Sequence, residues 1–145
     1  VKPYGGTPAP FLKEEKMYKF LSEDWIKACK EEWNKNQKLK EDLKDFSASI
    51  KYYIEGKEED AVYVIVKNGE VVEAGKADSR NYDFELGASL DNWKKLATGE
   101  MGPKAALLTK RIKFKGSMIT AMKYMSAFEE GLKMMGKIPT DWDIK

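Results

Sequence analysis

The side chains with most chemical reach in this sequence are one thiol, one acidic run and one basic stripe. Cys29 is the sole cysteine and histidine is absent. A nucleophilic thiol or hydroxyl needs a neighbouring base, most often an imidazole, and the chain has none to offer. Zinc is held by thiolates and imidazoles, so a lone thiol makes no metal site. An internal disulfide is excluded by the same count. Glu58, Glu59 and Asp60 form an acidic cluster that reads as a solvated turn rather than an acid–base pair. GEVVEAGK, from Gly69 to Lys76, has the outline of a phosphate-binding loop. Its glycines are five residues apart instead of four and no Ser or Thr follows the lysine, so that reading is rejected. The expectation is a chain with no catalytic residues, no metal and no cofactor.

Two features remain that suit binding rather than reaction. Met101, Met118, Met122, Met125, Met134 and Met135 fall within thirty-five residues, beside Leu107, Leu108, Ile112, Phe114 and Phe128. Methionine has three rotatable bonds and a polarisable sulfur, so it lines surfaces that fit ligands of varied shape. The same spacing also suits a plain amphipathic helix packed on a sheet. Lys110, Arg111, Lys113 and Lys115, with Lys104 upstream, could meet an anionic membrane or the phosphates of a coenzyme A ester. Alternating lysine is equally a guard on an edge strand. Cys29 shares a stripe with Trp25 and Trp33 and reads as a small buried hydrophobe.

These side chains must be positioned by a single core, because 145 residues suit one domain. A net charge of +2 argues against a nucleic-acid partner. The opening VKPYGGTPAPFLKEEKMYKF lacks the apolar region of a signal peptide, and no uncharged run is long enough to span a bilayer. The expected location is cytoplasmic. Pro3, Pro8 and Pro10 predict an extended arm over residues 1–20, which Tyr4 and Phe11 could pin down. Residues 21–136 are the expected domain and 137–145 a tail.

Ser22 followed by Glu23 and Asp24 starts a helix whose apolar stripe is Trp25, Ile26, Cys29 and Trp33, with Asn34 on the wet side. A short second helix carries Leu39 and Leu43. From Phe46 the period becomes two: Ala48, Ile50, Tyr52 and Ile54 alternate with polar residues, which predicts a half-buried strand. AVYVIVK, the Asn68-Gly69 hairpin and EVVEAG continue an antiparallel meander. YDFELGA is the fourth strand, with Tyr82, Phe84, Leu86 and Ala88 on one face. Ser89 caps a helix that Gly99 stops, Gly102-Pro103 opens a short helix, and RIKFKG is the fifth strand. Ser117 caps one last long helix running from Met118 to Met135. The fold class is α+β: a five-stranded, mostly antiparallel sheet covered by helices.

From Trp25 to about Phe128 the chain resembles the sterol carrier protein 2 (SCP2-like) family. The resemblance is carried by the Asn68-Gly69 hairpin between apolar strands, then YDFELGAS, then DNWKKLATGEMGPKAALLTKRIKFKGSMITAMKYM. It implies an internal apolar tunnel for a fatty acid, fatty acyl-CoA, sterol or other lipid, in a domain without catalytic residues. The side chains assigned to the tunnel are Phe84, Leu86, Trp93, Leu96, Met101, Leu108, Ile112, Phe114, Met118, Met122, Met125 and Leu132. Lys104, Arg111, Lys113 and Lys115 are assigned to a headgroup or surface. The chain departs from peroxisomal relatives in ending Asp143-Ile144-Lys145, which is not a targeting tripeptide.

The implied function is binding and carrying of a hydrophobic ligand without catalysis. A long acyl chain offers roughly 10 kcal/mol on burial, at about 0.8 kcal/mol per methylene, before ordering costs. A dry cavity of several hundred Å³, about the usual ligand-site size, would accept it. The competing expectation is an accessory subunit of a lipid- or acyl-metabolising enzyme with a reduced cavity. Partners to expect are the hydrophobic ligand, then a membrane surface, an enzyme or a second copy of the chain, and no nucleic acid.

Overall fold

Capping and hairpin chemistry set most element ends in the structure, a computed structural model that describes residues 17–144. The proline-rich arm, with Tyr4 and Phe11, lies outside the described residues. Helix α1 (Glu23–Lys35) begins where the Ser22 side chain accepts a hydrogen bond from the Trp25 amide at 3.2 Å. Its stripe of Trp25, Ile26, Cys29 and Trp33 is buried. Asn34 is no wet-side residue: its amide group bonds both the N–H and the C=O of Val71 at 2.9 Å, clamping the helix to a strand. Asn36 then caps α2 (Gln37–Asp42).

Five strands form the main sheet: β2 (Ala48–Ile54), β3 (Val62–Lys67), β4 (Glu70–Lys76), β5 (Phe84–Ala88) and β6 (Lys113–Lys115). Their order is β4-β3-β2-β5-β6. The β2–β3, β3–β4 and β5–β6 pairs are antiparallel, whereas β2–β5 is parallel, so the meander ends after β4. The chain crosses back to the far side of β2, where Ser49 and Asp83 bond each other through side chain and backbone. That crossing also moves Tyr82 off the expected face. Its ring lies 5.7 Å from that of Tyr63, a residue of the opposite sheet face, while Phe84, Leu86 and Ala88 face the core.

The Asn68-Gly69 turn has φ of 48° and 84°, as a tight hairpin between twisted strands requires. Gly69 has a second constraint, since a Cβ there would meet the Lys40 carbonyl oxygen at 2.7 Å. The Trp33 indole donates to the Gly69 carbonyl at 2.9 Å, fastening the hairpin tip under the helices.

The helices lie on one face of the sheet. Ser89 caps α3 (Leu90–Thr98), which Gly99 ends with φ of 85°. Helix α4 (Pro103–Leu108) starts at the expected Gly102-Pro103 step. The last helix is two: α5 (Met118–Lys123) and α6 (Met125–Met135), parted at Tyr124, whose ring packs on Phe46 at 5.1 Å. A short parallel ribbon joins β1 (Tyr18–Lys19) to β7 (Thr140–Asp141). It places Phe20 and Ile138 in the core and stacks Trp142 on Phe20 at 4.4 Å, so ordered packing extends past residues 21–136 at both ends. Among the described residues no helix is long and apolar enough to cross a membrane, and no group of metal-ligating side chains assembles.

Candidate functional site

Alternation along β2 turns Ile50 and Tyr52 toward the helices, and the helical stripes turn Cys29, Trp33, Leu39 and Leu43 toward the sheet. These surfaces do not close completely. They leave a cavity of about 120 Å³, completed by Phe46, Phe84, Leu86, Trp93 and Phe114 and by residues of α5 and α6. From α5 and its junction come Thr120, Ala121 and Tyr124; from α6 come Ala127, Phe128, Gly131, Leu132, Met134 and Met135. No lining residue carries a formal charge.

Burial grades the wall into a deep end and a mouth. Cys29, Trp33, Ile50, Tyr52, Leu86, Trp93 and Leu132 are buried, whereas Phe46, Phe84, Phe114, Thr120, Ala121, Tyr124, Phe128 and Gly131 are half-exposed. The mouth is therefore aromatic, with Phe84 lying 6.0 Å from Phe46 and 5.9 Å from Phe114 between ring centroids. Gly116, with φ of 138°, leaves room for it: a Cβ there would meet the Phe84 ring at 2.5 Å. Polar atoms at the deep end are mostly satisfied. The Trp33 indole donates to Gly69, and that of Trp93 donates to the Tyr53 carbonyl at 2.9 Å. Burial pushes the Cys29 thiol up to about 12 and also raises the Tyr52 phenol, so both remain protonated at neutral pH.

Of the twelve side chains assigned from sequence, Phe84, Leu86, Trp93, Phe114 and Leu132 line this cavity. Leu96 and Met101 line a separate open groove of about 930 Å³, which also touches Leu132 and runs along α3, α6 and the C-terminal segment. Ile112 is buried in the core outside both. Met122 and Met125 are half-buried beside the cavity without lining it. Leu108 and Met118 are corrections, at 65% and 42% exposed. Helix α4 buries Pro103, Ala106 and Leu107 at i, i+3 and i+4, which leaves Leu108 on the outer face with Lys104. Met118 belongs to α5, a helix with no buried residue.

The four cations assigned to a headgroup, Lys104, Arg111, Lys113 and Lys115, are exposed. Lys113 pairs with Glu55 at 2.9 Å and Lys115 with Glu85 at 3.7 Å, while Lys104 and Arg111 have no ion-pair partner among the described residues. Lys123, unassigned from sequence, sits 5.3 Å from the ring of Tyr124 at the mouth. Residues 101–128 contain six cations and no Asp or Glu, so the rest of the chain is net negative. The wall residues that sequence reading missed, Cys29, Tyr52 and Ala127 among them, have the same inward periodicity as core residues.

Three comparisons bear on this arrangement. Residues 26–129 match the model of the SCP-2 sterol transfer family. Among curated proteins, none matches the chain significantly. Among solved structures, a crystal structure of sterol carrier protein 2 is similar with a TM-score of 0.74 and 20% identity, over 83% of this chain and 99% of that one. The solution structure of a conserved hypothetical protein from Thermus thermophilus, described as possibly a sterol carrier protein, gives 0.73 and 19%, over 85% and 92%. A ubiquinone synthesis protein, UbiJ-SCP2, gives 0.52 and 9%, over 73% and 86%. These likenesses show a shared fold.

Proposed function

Given that this chain belongs to the SCP-2 sterol transfer family, we propose that it binds and carries a hydrophobic ligand without transforming it. The observation that carries this reading is the uncharged cavity of about 120 Å³ between the sheet and α5–α6. Apolar surface left open inside a core forfeits packing, and a greasy guest restores it. The volume is less than the several hundred Å³ expected from sequence and admits only part of a long chain. The rest is accommodated by displacing α5, which buries none of its own residues and therefore has the least packing to lose. A charged headgroup, where the ligand has one, then lies at the mouth, where Lys115 follows Phe114 and Lys123 adjoins Tyr124. No base or nucleophile faces the cavity in an ionised state, since its thiol and its buried phenol are held protonated.

A second reading is an accessory subunit of a lipid- or acyl-metabolising enzyme. The modest cavity and the fold shared with the ubiquinone synthesis protein favour it.

Denaturing extraction of the purified protein followed by lipid mass spectrometry is expected to release a fatty acid, sterol or related amphiphile. Ala127→Leu places bulk inside the cavity and is expected to abolish uptake of a fluorescent fatty acid. Filling such a space stabilises by about 0.5–2 kcal/mol, so the thermal midpoint should hold or rise. Empty protein that also ignores the fluorescent fatty acid, yet co-purifies with an enzyme at fixed stoichiometry, would transfer the weight to the second reading.

A further inference from the structure

Position 52 on β2 is a place where phenylalanine would fill the same space, and the chain puts a phenol there instead. Tyr52 faces the core between Ile50 and Ile54, opposite Val62 on β3 and Leu86 on β5. It is 8% exposed, lines the cavity, and meets the Trp93 ring edge-on at 6.3 Å. Its hydroxyl has no hydrogen-bond partner among the described residues. Buried polar groups left unpaired are rare, and each calls for a physical reason. Water fits poorly, because a buried water needs two to four polar partners, and beside the phenol the deep wall offers only the weakly bonding Cys29 thiol: both indoles are engaged, and Thr120 and Tyr124 lie at the mouth.

We infer that Tyr52 hydrogen-bonds the ligand at the deep end of the cavity, and that the ligand enters with an uncharged hydroxyl or carbonyl leading. This rests on the carrier reading above and narrows its ligand class. The leading group is uncharged because no Lys or Arg lines the cavity, so a carboxylate driven to the deep end would be a buried charge without compensation. A phenol both donates and accepts, so an alcohol, a ketone and an ester satisfy it equally. A free fatty acid, by contrast, enters tail first, leaves its carboxylate at the mouth and gains nothing from the phenol.

The test compares wild type with Tyr52→Phe, using 1-octanol and sodium octanoate at neutral pH. Trp33 and Trp93 line the cavity, so intrinsic fluorescence reports occupancy. The expected result is that octanol binds about fivefold more weakly to the variant, the size of one net hydrogen bond, while octanoate is unchanged. Without ligand the variant should melt at the same or a higher temperature, because it has shed an unpaired hydroxyl. Equal octanol affinity in both proteins would overturn the inference and leave the carrier reading standing, as would octanol and octanoate weakening together. A lower melting temperature would show that the phenol is already partnered in the empty protein and would also overturn it. If neither compound binds wild type, the carrier reading itself fails and this inference with it.

Discussion

Two acids in the cavity wall tie the stability of the protein to alkaline pH. The Cys29 thiol is raised to about 12 by burial and, secondarily, by the charge of Glu32. The Tyr52 phenol is raised by burial and then by Cys29. Unfolding returns both to water and to ordinary values near 9 and 10. Below about pH 9 both states keep their protons, and the contribution of these groups is complete. Above it the unfolded chain loses protons that the folded chain retains, so stability falls as pH rises toward 12. The full slope is about 1.4 kcal/mol per pH unit for each group. Urea unfolding at about pH 8, 9 and 10 should show a steeper decline for wild type than for Cys29→Ala, even though the variant begins lower because it leaves a void. Parallel declines would mean that the thiol titrates freely in the native state.

Among the elements, α1 and α5 carry the same serine cap with opposite consequences. Ser22 accepts from the Trp25 amide and Ser117 from the Thr120 amide at 3.1 Å. Helix α1 buries Trp25, Ile26, Cys29 and Trp33 against the sheet, so its first turn melts only with the whole molecule. Helix α5 buries none, so it is expected to open alone. Ser22→Ala should therefore cost about 1 kcal/mol of global stability by urea unfolding. Ser117→Ala should leave that value unchanged and speed amide exchange in residues 118–123. A global loss from Ser117→Ala would show α5 to be part of the cooperative core. Caps such as these were legible in the sequence because they are local, and so were the Asn68-Gly69 turn and the alternation of β2. The parallel β2–β5 pairing was not, because it depends on Ser49 meeting Asp83 across a loop. The break at Tyr124 was equally hidden: an apolar stripe from Met118 to Met135 fits one helix, and the break accompanies packing on distant Phe46. Five of the twelve assigned lining residues fell on the cavity, since periodicity tells which residues face inward and not where inward packing stops short.

For the molecule as a whole, charge is segregated although the total is nearly balanced. Residues 101–128 have six cations and no acid, and they include α5, where Ile119 is 84% exposed, and the edge strand β6. Glu55, just past β2, and Glu85 on β5 neutralise Lys113 and Lys115, which leaves Lys104, Lys110, Arg111 and Lys123 without ion-pair partners among the described residues. On the carrier reading we propose that this edge is the side that meets an anionic membrane, with the exposed apolar residues of α5 beside the cavity mouth. Each cation near such a surface contributes about 1 kcal/mol, and salt screens the attraction within roughly a Debye length. The protein should therefore sediment with vesicles containing phosphatidylserine and not with phosphatidylcholine alone, and it should be released by raised salt. Lys110→Gln with Arg111→Gln should weaken that binding about thirtyfold, two cations' worth, while leaving uptake of a fluorescent fatty acid in solution intact. Vesicle binding indifferent to salt and to both substitutions would remove the membrane from the account, and the acid-free edge would then serve only to keep β6 from pairing with another sheet.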